Sequence, residues 1–321
     1  MHYYNKKKQV SANDEHAILQ VFFLVISPET VIMKKAQKKE GYFMIYLLLT
    51  IIGASMFTFI LRLSRGRITG KYSMYAADYF LCLIFSGYYM GIENIYPAVE
   101  KNDITLALGI INGFLYLLSL FFYQYCIQKN GVVLTIIFSK LGIMVPLLTS
   151  ILLFHEIPTV LQIIGTILAV VFMVLINYEK GHTKSAFNIS LLIILLVDGT
   201  SAAMAKIFGE VGNSALSAQF LFYTFVIAFA ISLGLAIYKK EHVGFNEVIF
   251  GFGVGSATFF VSRFMLKALE TVPAVIAYPT RAVGTLILVT MMGVLFFKER
   301  LRKQQWIAMG GIVAALTLLN I

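Results

Sequence analysis

The sequence predicts an all-α integral membrane protein whose ten transmembrane helices form two inverted five-helix repeats. Three observations predict it. Hydrophobic residues make up 59% of the 321 positions and charged residues 13%, against roughly 45–50% and about 25% in a typical soluble domain. Ten stretches approach the length of about 20 mostly apolar residues that a membrane helix needs. A single offset lays the first five of these stretches over the last five.

The stretches are 43–62, 72–91, 104–126, 132–153, 158–177, 187–206, 215–238, 246–267, 273–297 and 304–320. The second is the least apolar, because Asp78 lies inside it. The connections are too short to hold a soluble domain, so function is expected between the helices. The formal net charge of +10, from 26 Lys+Arg against 16 Asp+Glu, reads as basic loops on one membrane face and not as a nucleic-acid surface.

Residues 1–43 differ from the rest. They carry seven lysines and one apolar stretch, Ala17 to Ser27, too short to span a bilayer and without a small-residue cleavage site after it. Lys39-Glu40-Gly41 can be encoded by a strong bacterial ribosome-binding sequence ahead of Met44. The expectation is that translation starts at Met44, leaving 44–180 as the first repeat and 187–321 as the second.

Under an offset of 143, Thr135–Gly142 falls on Tyr278–Thr285, Phe154-His155-Glu156 on Phe297-Lys298-Glu299, and Gln162 on Gln305. Five helices per half is an odd number, so the second half enters from the opposite side. Inverted repeats of this kind are common in secondary transporters. His155-Glu156-Ile157-Pro158 through Gln162 and Gly165, and Lys298-Glu299-Arg300-Leu301 through Gln305 to Gly310-Gly311, resemble the EamA-like branch of the drug/metabolite transporter superfamily. Ala268-Leu269 followed by Pro273-Ala274-Val275 is similar to that family's entry into its ninth helix. The resemblance covers 44–320 and implies a multi-pass transporter of the cell membrane, here the bacterial cytoplasmic membrane. It leaves the substrate open.

Loops after the odd-numbered helices hold thirteen Lys and Arg counted from Met44, from Arg62, Arg65, Arg67 and Lys71 to Lys303; the other face holds Lys101, Lys206 and Lys267. The positive-inside rule puts the basic face in the cytoplasm.

Deeply placed charges point to the site. Lys140 lies eight residues into the fourth stretch and Arg281 eight residues into the ninth, a rise of about 12 Å into a hydrocarbon half-thickness of about 15 Å. A charge at that depth costs at least about 2.5–3.5 kcal/mol. An electropositive site for a carboxylate or phosphate accounts for both, with Arg as a planar fork and Lys as a point charge; internal pairing with Asp78 or Asp198, or snorkelling, is the alternative. Pro146 and Pro279 each remove a backbone donor and disturb the carbonyls of Gly142 and Val275, and interrupted helices in corresponding positions of two halves mark transporter sites. Tyr278 and Ser139 neighbour these features and can hydrogen-bond a substrate. Asp78 and Asp198, the intramembrane carboxylates, are candidates to carry a coupling proton or to pair with Lys140, Arg281 or Lys206. Arg263 reads as snorkelling, Glu156 and Glu299 as caps of the fifth and tenth helices, and Tyr116 and Tyr123 as an interfacial belt in preference to a cavity lining. Gly251-Phe252-Gly253-Val254-Gly255, and Gly109 with Gly113, read as surfaces for close helix approach.

No Walker motif, HExxH, GxSxG or Cys/His cluster is present, so neither enzyme activity, cofactor nor metal is expected. The expected partners are a small-molecule substrate, the lipid bilayer and a coupling proton, with no nucleic acid, for a monomer or homodimer. The reading is a secondary transporter of a small polar, anionic metabolite by alternating access. Its rivals are an exporter of amphipathic or cationic compounds and a non-transporting membrane scaffold subunit.

Overall fold

A computed structural model describes residues 43–91, 94–130, 132–177, 189–297 and 303–319. The expected leader over 1–43 and Glu299 fall outside them, apart from Phe43 itself. The described residues are helical, without a strand, and form eleven α-helices. These are α1 (Phe43–Ser64), α2 (Lys71–Met90), α3 (Asn102–Asn130), α4 (Val132–Leu141), α5 (Met144–Phe154), α6 (Val160–Asn177), α7 (Ile189–Val211), α8 (Ser217–Tyr238), α9 (Phe245–Leu269), α10 (Ala274–Phe297) and α11 (Lys303–Leu319). Each apolar stretch coincides with one helix except the fourth, which is two. Six helices, α1, α3, α7, α8, α9 and α10, are long and apolar enough to cross a membrane; the apolar segments Phe138–Phe154, Val160–Leu175 and Gln305–Leu319 are shorter.

α2 falls short in apolarity for a physical reason. It packs on both α8 and α9, so its polar side chains Ser73, Asp78 and Ser86 turn inward and are buried. Phe80, Ile84 and Tyr88, four residues apart, form its exposed stripe. That is the reverse of a soluble amphipathic helix, and it is what a lipid-facing helix with a polar interior requires.

Packing between helices in lipid relies on close fit, since lipid tails are as apolar as Leu. At the α2–α9 crossing a Cβ on Gly251 would stand 2.6 Å from the Met74 carbonyl oxygen, and one on Gly255 2.5 Å from that of Asp78. Around this crossing the core is aromatic: Tyr79, Phe208, Phe220, Phe225, Phe259, Phe260 and Phe264 are buried together, with Phe208 and Phe220 stacked at 4.4 Å. α9 also packs on α1, α3 on α7 and α8, α10 on α1 and α5, and α11 on α6.

Long-range caps tie the two ends. On the face with the α1–α2 and α8–α9 loops, Glu247 accepts from the backbone N–H groups of Thr69 (2.8 Å), Gly70 (3.3 Å) and Gly244 (3.1 Å). Glu241 accepts there from Tyr72 (2.7 Å) and Ser73 (3.0 Å). Two carboxylates at the positive end of α2 satisfy donors that the helix itself leaves open. On the opposite face Glu156 accepts from Ala274 (3.2 Å) and Val275 (3.1 Å) at the start of α10 and pairs with Lys206 of α7 at 2.7 Å. The expected cap on the following helix is therefore corrected. α6 is capped by its own box, with Thr159 and Gln162 exchanging side-chain and backbone bonds of 3.0 and 3.2 Å. His155, left-handed at φ 54°, ends α5 just before Glu156.

Candidate functional site

The fourth stretch breaks at Gly142 and Ile143. Pro146 sits on the third residue of α5 and has no N–H to give the Gly142 carbonyl, which accepts instead from Val145 at 3.0 Å. α7 fills the gap: a Cβ on Gly199 would lie 2.4 Å from that same carbonyl oxygen. Only two facing glycines allow this approach. The break leaves Ser139 and Lys140 on the last turn of α4. Pro279 behaves differently, since α10 runs through it without interruption; the paired interruption read from the sequence is present in one half alone.

Asp198, on α7, is the hub of the site. Ser119 of α3 donates to its Oδ1 and Ser139 of α4 to its Oδ2. Lys140 lies in electrostatic reach of both Asp198 and Arg281. The Lys140 side chain is exposed at the end of α4. Arg281 is half-buried, within electrostatic reach of Tyr116 and Tyr278. Among the described residues, neither Lys140 nor Arg281 forms an ion pair or a side-chain hydrogen bond. Pairing of either cation with Asp78 or Asp198 is thus absent there, and Lys206 takes Glu156 and Glu210 instead.

Tyr278 is packed among Leu47, Met265 and Ala268, and its hydroxyl donates to the Ala202 carbonyl at 2.8 Å. Its ring is part of the packed core and its donor is already used. Arg263 stacks on Tyr89, 3.7 Å from the ring centroid, in place of the snorkelling expected of it.

A cavity of about 200 Å³ joins the two aspartates. It is lined by Tyr75, Asp78, Tyr79, Tyr116, Ser119, Leu120, Asp198, Ser201 and Thr258, with Phe57 at one side. Tyr116 therefore lines the cavity and is no interfacial belt; its hydroxyl lies 3.2 Å from that of Ser262. Tyr123 lies in electrostatic reach of Asp198 and of Arg65 in the α1–α2 loop. Sequence reasoning missed Ser119, Ser201 and Thr258. Single hydroxyls are common in membrane helices, where they bond the preceding turn, and nothing in their spacing separates these three from the rest. Among the described residues no three His, Cys, Asp or Glu side chains converge as metal ligands do.

The family comparison bears on the second half of the chain. Residues 188–321 match the EamA-like transporter family. This agrees with the drug/metabolite transporter superfamily that the motifs resemble, and with a multi-pass membrane protein of transporter type. An uncharacterized protein of Haemophilus influenzae is 26% identical over 223 residues, which are 68% of this chain and 74% of that protein. A crystal structure aligns with a TM-score of 0.61 at 16% identity, over 86% of this chain and 98% of the other; that likeness speaks for the fold alone.

Proposed function

We propose that the protein is a secondary transporter that carries a small polar metabolite with an anionic group across the bacterial cytoplasmic membrane by alternating access. The observation that carries this reading is the central charge balance. Among the described residues the cations Lys140 and Arg281 have no ion-pair partner, and Lys140 lies in electrostatic reach of Arg281 and of Asp198, one of the carboxylates that line the hydroxyl-bearing cavity. With the buried Asp78 counted as its neutral acid, Lys140, Arg281 and Asp198 leave one net positive charge at mid-depth, where an uncompensated charge is expensive, and a bound oxyanion compensates it. The broken fourth segment supports the reading, because discontinuous helices mark transporter sites near the midplane.

Ten crossings in two inverted repeats account for the helix pairing. Exchanging the halves turns α1 on α9 into α7 on α3, α2 on α9 into α8 on α3, and α1 on α10 into α7 on α4 and α5. It leaves α2 on α8 and α6 on α11 unchanged. All of these pairs occur. In this reading the cavity opens toward the basic, cytoplasmic face, and the Glu156–Lys206 pair with the capped start of α10 closes the other. A second reading, export of cationic compounds, is favoured by the two aspartates lining the cavity. A scaffold subunit has no use for such a cavity.

Thermal stabilisation of the purified chain by anionic, zwitterionic and cationic metabolites tests the proposal. A ligand at about 100 times its Kd adds about 2.7 kcal/mol. Carboxylated or phosphorylated compounds are expected to stabilise the protein, and Arg281→Ala to remove the effect. Stabilisation by cations alone contradicts the anion reading and favours export of cations.

A further inference from the structure

The two aspartates that face one cavity have different surroundings. Both oxygens of Asp198 accept serine hydroxyls from separate helices, and Lys140 lies within reach. Asp78 is 2% exposed. The Cys82 thiol donates to its Oδ1 at 3.5 Å while also facing the Gly255 carbonyl at 3.2 Å, and the Thr258 hydroxyl adjoins it. The α9 backbone closes over it at Gly251 and Gly255. Among the described residues no cation pairs with it. A carboxylate buried without a counter-charge takes up a proton before it stays charged.

Every neighbouring element contributes to this environment. α2 itself supplies Tyr75, Tyr79 and Cys82, α3 supplies Tyr116, and α9 the Thr258 hydroxyl and Gly255 carbonyl. α8 places Phe225 against Tyr79, α1 brings Phe57, and α7 brings Asp198 across the cavity. The link to the cations is Tyr116, which is in electrostatic reach of both Asp78 and Arg281.

We propose that Asp78 is a proton-binding site, that Asp198 is a fixed anion, and that proton binding at Asp78 favours anion binding at Lys140 and Arg281. The inference rests on the transporter reading above and deepens it. Protonation forms one O–H bond on the Asp78 carboxyl, with the proton drawn from water in the cavity. The centre then holds two positive charges and one negative and takes one monoanion. Loss of the proton adds a second carboxylate charge, brings the centre to neutrality and weakens the anion's hold. One proton and one anion thus travel together. By reciprocity the anion strengthens proton binding by the same factor.

The first test is infrared difference spectroscopy of the full chain in lipid, switched between mildly acidic and mildly alkaline buffer, with the proton itself as probe. The expected result is a protonated-carboxyl band that alkali removes, absent in Asp78→Asn and retained in Asp198→Asn. A band that survives Asp78→Asn and disappears in Asp198→Asn overturns the assignment. Should Asp78→Asn fail to fold, Thr258→Val serves: it shifts the band if Asp78 carries it, and an unshifted band overturns the proposal. In parallel, lactate, a monocarboxylate that keeps one negative charge at both pH values, is titrated at each. Coupling predicts about a tenfold loss of anion affinity at the alkaline pH in the wild type and no such loss in Asp78→Asn. A pH dependence of anion affinity that persists in Asp78→Asn overturns the coupling. If no anion binds at all while the band still maps to Asp78, the anion-transporter reading fails and the proton site stands, so the two failures are separable.

Discussion

The fourth helical segment of the first half and its counterpart in the second half carry the same ingredients, a deep cation and a proline. They fold differently. The first splits into α4 and α5 between Leu141 and Met144, with Lys140 at the break; the second, α10, runs unbroken through Pro279 and past Arg281. The difference lies in what surrounds each proline. Pro146 has Gly142 four residues before it, and the glycine faces another glycine, Gly199, so neighbouring backbone can move into the opening. Pro279 disturbs Val275, which lies in the first turn of its helix, where the Glu156 carboxylate already takes the N–H groups of Ala274 and Val275. Pro279 still costs the Val275 carbonyl its donor, but it has a valine and not a glycine four residues before it, and the helix runs on; Pro146, behind a glycine in mid-segment, marks a break.

The largest effect expected from breaking this comparison is at Gly199. Gly199→Leu places side-chain atoms where the Gly142 carbonyl and Val145 already sit. The expected loss in thermal unfolding of the detergent-solubilised protein is about 3 kcal/mol, at the upper end of overpacking costs. Gly209→Ala on the same helix, with nothing within 4 Å of its Cβ, is expected to be neutral or to gain up to about 1 kcal/mol.

Next comes the pair of prolines. Pro146→Ala restores a donor for the Gly142 carbonyl and allows α4 and α5 to fuse. Amide exchange over 142–146 is expected to slow, and anion affinity to fall about tenfold, or about 1.4 kcal/mol, as Lys140 is rotated. Pro279→Ala is expected to change neither. Equal effects from the two substitutions would erase the asymmetry drawn between the halves.

A smaller effect is expected at Glu156, which serves the second half from the first. Glu156→Gln removes the 2.7 Å ion pair and weakens the cap on α10, while Lys206 keeps Glu210. A loss of about 1–2 kcal/mol follows from charge-assisted bonds of this kind, read in a melting scan. Smallest is Thr159→Ala at the exposed start of α6, about 0.5–1 kcal/mol, with ligand binding unaltered.

Much of this fold was legible because membrane helices declare themselves by apolar length. The boundaries of 132–153 and 273–297 agree with α4 through α5 and with α10 to within a residue or two. The split in one and its absence in the other was not legible, because it depends on Gly199, more than fifty residues away in sequence. The site was legible in part. Depth alone singled out Lys140, Arg281, Asp78 and Asp198, since charges in hydrocarbon have few explanations. The proximity of Lys140, Arg281 and Asp198, the two serines on Asp198 and the packed state of Tyr278 are tertiary facts. The role of Glu156 also escaped the sequence, because its acceptor oxygens serve a helix that begins 118 residues later.

The central claim is that Lys140 and Arg281 form one oxyanion site. A double-mutant cycle of anion affinity, with Lys140→Gln, Arg281→Gln and both together, tests it most directly. A shared ligand predicts that each single variant loses about tenfold or more in affinity, and that the double variant loses markedly less than the product of the two, because cations acting on one anion are not independent. Anion affinity unchanged in either single variant, or losses that simply multiply, would contradict a single site.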